Sequence, residues 1–196
     1  CDFDGSLNVY DLPLDGAVPS QWSVDRLRQS VHSSRDRWQR LMLIDRLLAI
    51  EEDLASRIEL LRDATRIHME LHEYTSARFF ATEVSRIGKA TPKMVQWSVI
   101  MREIIAHRSE EQQLNHGELN DDFITTQRRR IARIHKLGRK SPRSLRMLCH
   151  LAEAEMLDVI GQERAALRAL GKTQISKLKD RQTLYLYADR GLQLLR

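Results

Sequence analysis

From Ser23 onward, apolar residues return every three or four positions, the period of a helix with one buried face. Leu27 and Val31 open the series behind Ser23, a residue suited to cap a first helix. Ser34 is a second cap candidate, ahead of an apolar stripe through Trp38, Leu41 and Leu48 that continues as Leu54, Ile58, Leu61 and Leu71. No Gly or Pro interrupts residues 35–71, so one bent helix and two straight ones are both open there. The punctuation that follows is regular. A helix over 74–87 ends at Gly88, and Pro92 opens another that runs to about His107. The polar run 109–122 reads as a loop, and Asp121 or Asp122 as the cap of a helix from Phe123 to Leu137 that stops at Gly138. Ser141-Pro142 reads as an N-cap with Pro in the first helical position, opening a helix over 143–159. A turn at Gly161, a helix over 162–170 and a last pair near 173–195 complete the chain. No segment alternates like a strand, so the class is all-α.

Residues 1–22 lack this periodicity. They hold four Asp and no Lys or Arg, and they read as an extended acidic arm ahead of one helical-repeat domain over 23–196. Helices of twelve to eighteen residues joined by short turns predict antiparallel hairpins stacked in series, the arrangement of an α-solenoid. Two hairpins carry a further pattern. Tyr74, Ala77, Phe80, Ala81 and Val84 have the aromatic, small and small-apolar spacing of a second tetratricopeptide helix. Ala154, Leu157, Gly161, Ala166 and Leu170 fall at the small, large, turn-glycine, small and large positions of that repeat. The chain thus resembles the tetratricopeptide-repeat family over about residues 50–196, although both units lack the Trp-x2-Leu-Gly opening. The resemblance implies close helix approach at Ala77 and Ala166, where larger side chains would not fit.

Charge changes the picture because it is localised. The formal net charge is +5, yet residues 127–146 alone hold nine Lys/Arg and no acid, while 1–34 and 91–126 are acidic. The nine are Arg128, Arg129, Arg130, Arg133, Lys136, Arg139, Lys140, Arg143 and Arg146. On a helix Arg129, Arg133 and Lys136 share a face, with Ile131, Ile134 and Leu137 on the other side. Like charges at this density repel and call for a counterpart. Three counterparts are open. One is internal, from Glu110, Glu111, Glu118, Asp121 and Asp122 or from the arm's Asp2, Asp4, Asp11 and Asp15. The second is an acidic protein surface, and the third is a polyanion such as nucleic acid or anionic lipid. Nucleic acid is disfavoured by the scarcity of aromatic residues near the block, Phe123 being the nearest.

Catalytic chemistry finds little to stand on. There is no Gly-rich phosphate loop, no G-x-S-x-G elbow, and no Zn-protease motif, because His68-Met-Glu-Leu-His72 places its Glu at the third position. His68 and His72 have the spacing of a two-histidine metal pair beside Glu73, but the sequence offers no third ligand and reads better as two histidines at a helix end. Two cysteines form no framework, and Cys149 lies in an apolar run as a small core residue. The sequence therefore calls for no enzyme, no cofactor and no metal. Cys1 followed by a polar arm resembles a mature bacterial lipoprotein, which would make Cys1 the lipid attachment point and, with Asp2 next to it, imply retention at the inner membrane. The other reading makes residue 1 an internal position of a longer protein.

These features together predict a non-catalytic scaffold for protein–protein assembly, contacting its partner through Arg129, Arg130, Arg133, Lys136, Arg139, Lys140 and Arg143. Trp97 and Met101 would form a second surface if exposed, and belong to the core otherwise. The context the lipoprotein resemblance implies is the periplasmic side of a bacterial envelope, in a secretion, pilus or similar machine. The alternative is a cytoplasmic adaptor or regulator whose helix over 127–146 binds nucleic acid. The oligomeric state is not legible.

Overall fold

A computed structural model describes residues 22–88, 90–114 and 119–173. Among these residues there are eight helices and no strand: α1 (Val24–Ser33), α2 (Arg37–Ile50), α3 (Leu54–Glu70), α4 (Tyr74–Arg86), α5 (Pro92–Gln113), α6 (Asp121–Lys140), α7 (Arg143–Val159) and α8 (Glu163–Gly171). The fold is all-α. The arm before Trp22, Cys1 included, and the pair expected near 173–195 lie outside the described residues.

Helices α1, α2, α3 and α6 begin where a short polar side chain takes up an orphan backbone N–H. Ser23 accepts from Arg26 N, Asp36 from Gln39 N, Asp53 from Ser56 N and Asn120 from Phe123 N. The uncertain stretch over 35–71 is thus two helices, divided at Glu51–Asp53 by an Asp cap, with neither Gly nor Pro. That joint is pinned from both sides. Arg28 on α1 reaches Glu51 Oε2 through Nε (2.9 Å) and Nη2 (2.6 Å), and Arg57 Nη1 donates to the carbonyls of Leu48 (2.6 Å) and Glu51 (2.8 Å). The latter two are carbonyls at the C-terminal end of α2, which the helix cannot satisfy itself.

Five boundaries differ from the sequence expectation, the first being the start of α6, where Asn120 is the cap and Asp121 and Asp122, expected as caps, are already helical. Ser34 closes α1, and Asp36 caps α2 in its place. Helix α5 continues to Gln113, so 109–113 is helical: Ser-Glu-Glu-Gln-Gln is polar, but Glu and Gln are good helix formers. Pro142 occupies the N-cap of α7 rather than its first turn, and Arg143 is the first helical residue. Gly138 does not stop α6. It is buried two residues before the helix ends, and a Cβ placed there would lie 3.0 Å from Cys149 Cβ, so its role is to let α6 and α7 cross closely. Gly161, by contrast, has φ +72° and turns the chain between α7 and α8.

Every helix packs on the next, and α5 also reaches α7. The apolar faces form two cores that meet at α3. Leu60, Ala64 and Ile67 of α3 close one core with Trp22, Leu27, Val31, Leu43, Ile44 and Leu47. Ile58, Leu61 and Met69 of the same helix join the larger one, built by α4 to α8. Alanines mark the tight contacts: Ala77, Ala81, Ala152 and Ala166 have no exposed surface. Trp97 (7% exposed) and Met101 (1%) belong to the larger core, so they form no second surface; Arg62 lies over the Trp97 ring at 5.0 Å. No helix among the described residues is long and apolar enough to cross a membrane.

Candidate partner-binding surface on the basic helix

The nine-cation block occupies the C-terminal two-thirds of α6, the following turn and the start of α7. Helix α6 is seated by Phe123, Gln127, Ile134 and Gly138, all buried, with Ile131 and Leu137 half-buried beside them. At about 100° per residue, Arg128, Arg139, Lys136, Arg129, Lys140 and Arg133 follow one another around the opposite arc, roughly 140° wide. From Arg128 to Lys140 that arc runs about 18 Å along the helix.

One edge of the arc is neutralised from within. Arg130, only 13% exposed at its side chain, donates through Nη1 to Glu103 Oε2 (3.2 Å) and through Nη2 to Glu110 Oε1. Arg133 donates to Glu103 Oε1 (2.5 Å), and that bond holds its guanidinium pKa above the ordinary value. Glu103 and Glu110 lie seven residues apart, two turns of α5 on one face. Glu110 was among the acids the sequence offered as internal counterparts; Glu103 was not, and its i, i+7 relation to Glu110 was hidden when 109–122 was read as a loop. Asp121 and Asp122 sit exposed in the first turn of α6, where their charge suits the helix N-terminus. Glu118 lies outside the described residues.

Behind Arg130 runs a buried polar chain. His107 has no exposed surface and donates from Nδ1 to Gln127 Oε1 (2.9 Å), while Gln127 Nε2 donates to Glu110 Oε2 (3.1 Å). The carboxylate fixes the amide's orientation, and the amide oxygen in turn fixes the proton of His107 on Nδ1. Glu111 Oε2 lies 3.9 Å from His107 Nε2. Among the described residues, His107, Glu111 and Glu155 form the trio of metal-capable groups that converge, with ligand atoms within 4.8 Å of one another. Glu155 is already faced by a cation, since Arg108 donates to it through Nε (2.8 Å) and Nη2 (3.2 Å).

The remaining cations divide clearly. Arg143 is exposed at the start of α7 and has an interaction of its own; Arg146 donates to the Ser141 carbonyl (3.2 Å). Arg128, Arg129, Lys136, Arg139 and Lys140 are exposed and have no ion-pair partner among the described residues. The internal counterpart thus accounts for Arg130 and Arg133 and leaves five charges on one helical face. Exposed aromatic side chains lie elsewhere, Trp38 on α2 and Phe79 on α4, and Phe123 is buried.

The histidine pair of the sequence does not converge. His68 Nδ1 is bonded to Glu73 Oε2 (2.6 Å) and its ring stacks on Phe80, whereas His72 lies past the end of α3 at φ 60° and bonds Tyr74 Oη (3.1 Å). Cys149 is buried, and burial together with Glu153 pushes its thiol up to about 12, which leaves no thiolate for nucleophilic chemistry near neutral pH. No protein-family model, curated protein or solved structure matches the chain.

Proposed function

We propose that this protein is a non-catalytic interaction scaffold whose cationic face on α6 docks an acidic partner protein. The carrying observation is the division of the block: Arg130 and Arg133 are held by Glu103 and Glu110, while Arg128, Arg129, Lys136, Arg139 and Lys140 stand in solvent on one arc. Such a face is costly to the isolated chain, because like charges at i, i+3 and i, i+4 repel, and it gains when a complementary surface arrives. Helices packed in series, with the tetratricopeptide-like spacing at Ala77, Ala81 and Ala166, support a rigid platform over a moving enzyme. The absence of exposed aromatics on α6 argues for an acidic protein surface over single-stranded nucleic acid.

The test is titration of a labelled Asp/Glu-rich peptide and of a DNA duplex against the protein and against an Arg128→Glu/Arg129→Glu/Lys136→Glu variant. Saturable peptide binding that the variant loses supports the reading. Duplex binding that is tighter, and falls steeply with salt, would replace it with the nucleic-acid adaptor.

A further inference from the structure

The basic face ends, on its α7 side, in a cavity of about 240 Å3 lined by His135, Gly138 and Arg139 of α6 and Arg146, Cys149, His150 and Glu153 of α7. That volume is many times the roughly 10–15 Å3 that a single water needs. Two helices therefore bring two guanidinium and two imidazole side chains to one opening.

The internal chemistry of the cavity is unbalanced. One carboxylate, Glu153, with a side chain 12% exposed, stands between both histidines: Oε1 is 3.4 Å from His135 Nδ1 and Oε2 is 3.5 Å from His150 Nδ1. His150 Nδ1 and Glu153 Oε2 find no hydrogen-bond partner among the described residues. Glu153 faces both imidazoles with its single carboxylate, while Arg139 and Arg146 bring two guanidinium charges to the same opening. Cys149, kept as a thiol by burial, adds no negative charge. Arg146 is steadied at the mouth by its bond to the Ser141 carbonyl (3.2 Å), and Arg139 has no ion pair among the described residues.

We propose that this cavity is a pocket for a phosphate monoester, received by Arg139 and Arg146 with His135 and His150, and that the acidic partner of α6 presents it as a phosphorylated side chain. This rests on the reading of α6 as a docking face and adds the chemistry of its anchor. A phosphate monoester carries about −1.5 to −2 charges and three acceptor oxygens, enough to use donors from both guanidiniums and an imidazole together. A carboxylate carries a single charge, which Glu153 already supplies from within. Guanidinium is also the side chain whose planar fork matches phosphate bidentately.

The test uses two acidic peptides, identical except for serine or phosphoserine at one position, and inorganic phosphate alone. Affinity is read by fluorescence anisotropy or calorimetry, and site occupancy by the imidazole NMR resonances of His135 and His150. Charge-assisted hydrogen bonds of this kind predict a phosphopeptide preference on the order of tenfold or more, with the two imidazole resonances shifting at saturation. Arg139→Ala/Arg146→Ala should bring the preference close to one while leaving the circular-dichroism melt intact. Arg128→Ala/Lys136→Ala should weaken both peptides and keep the preference. If both peptides bind equally, the pocket is refuted and the docking face stands. If neither binds, both readings fail. A preference lost equally in the two double variants reduces the pocket to general electrostatics and overturns it, as does inorganic phosphate binding as tightly as the phosphopeptide.

Discussion

Arg130 and Lys136 stand six residues apart in the same helix, yet their removal should move stability in opposite directions. Arg130 is largely buried between Glu103, whose side chain is 12% exposed, and Glu110, at 37%. At 3.2 Å and an effective dielectric near 20, the Glu103 contact alone is worth about 5 kcal/mol before desolvation, most of which desolvation cancels. Removing one partner from a fully buried pair costs about 3–5 kcal/mol, and exposed pairs are worth about 0–1 kcal/mol. The intermediate burial here puts Arg130→Ala at about 1.5–3 kcal/mol, part of it from the packed stem of the side chain. Glu103→Ala leaves Glu110 facing Arg130 but also removes the partner of Arg133, so it should cost a similar amount, and a double-mutant cycle between 103 and 130 should return a coupling of about 1–2 kcal/mol. Lys136 is flanked instead by Arg133, Arg139 and Lys140 at i−3, i+3 and i+4. Lys136→Gln, nearly neutral in helix propensity, should stabilise by a few tenths of a kcal/mol at low salt, and that gain should fade as salt rises.

Urea unfolding followed by circular dichroism measures all of these, with the slope m held constant across variants to show that the midpoint shift reports stability. Two cores joined at α3 make coincidence of far-ultraviolet and tryptophan fluorescence transitions a needed control. An Arg130→Ala variant within about 0.5 kcal/mol of wild type, or a coupling indistinguishable from zero, would refute the division of the block into structural and surface cations.

Three further outcomes follow from the same geometry. Gly138→Val should destabilise by about 1–3 kcal/mol or more, because its Cβ would start 3.0 Å from Cys149 Cβ and then branch; an unchanged melting temperature would refute close packing of α6 on α7. Cys149 should resist a thiol reagent in the native protein and react in urea. Its native value of about 12 against an ordinary 9.0 means that the stability it contributes below pH 9.0 is lost as pH rises toward 12, so the alkaline limb should be shallower in Cys149→Ala. Burial alone would raise the Glu51 carboxyl, but the hydrogen bonds from Arg28 and the Asp53 N–H outweigh it and hold the group below its ordinary 4.5. Its contribution is therefore present above pH 4.5 and lost as pH falls through the depressed value; Glu51→Gln should flatten the acid limb of a pH–stability curve, and an unaltered limb would exclude that role.

What was legible in the sequence, and what was not, follows the range of the forces involved. Helix identity depends on periodicity within one helix, and the spacings through Leu27–Val31, Ala77–Ala81–Val84 and Leu145–Leu148–Ala152 gave the all-α class and most element positions directly. Boundaries failed where one residue type serves two purposes. Gly138 reads as a stop from composition, but as an approach point once Cys149 stands opposite it, and that neighbour belongs to another helix. The run 109–113 reads as a loop by polarity, but its Glu and Gln residues carry α5 onward, and that extra length places Glu110 two turns above Glu103. The basic block was visible as a count, whereas its division was not. Whether Arg130 is structural and Arg129 solvent-facing turns on a rotation of about 100° around α6 relative to α5, which the seating of Phe123, Gln127, Ile134 and Gly138 decides. The cavity beside Arg139 needed both neighbours of Glu153 at once: His150 lies three residues before it on α7 and could be read locally, but His135 comes from α6. A charge excess thus becomes a surface only after packing has chosen which of its members to neutralise.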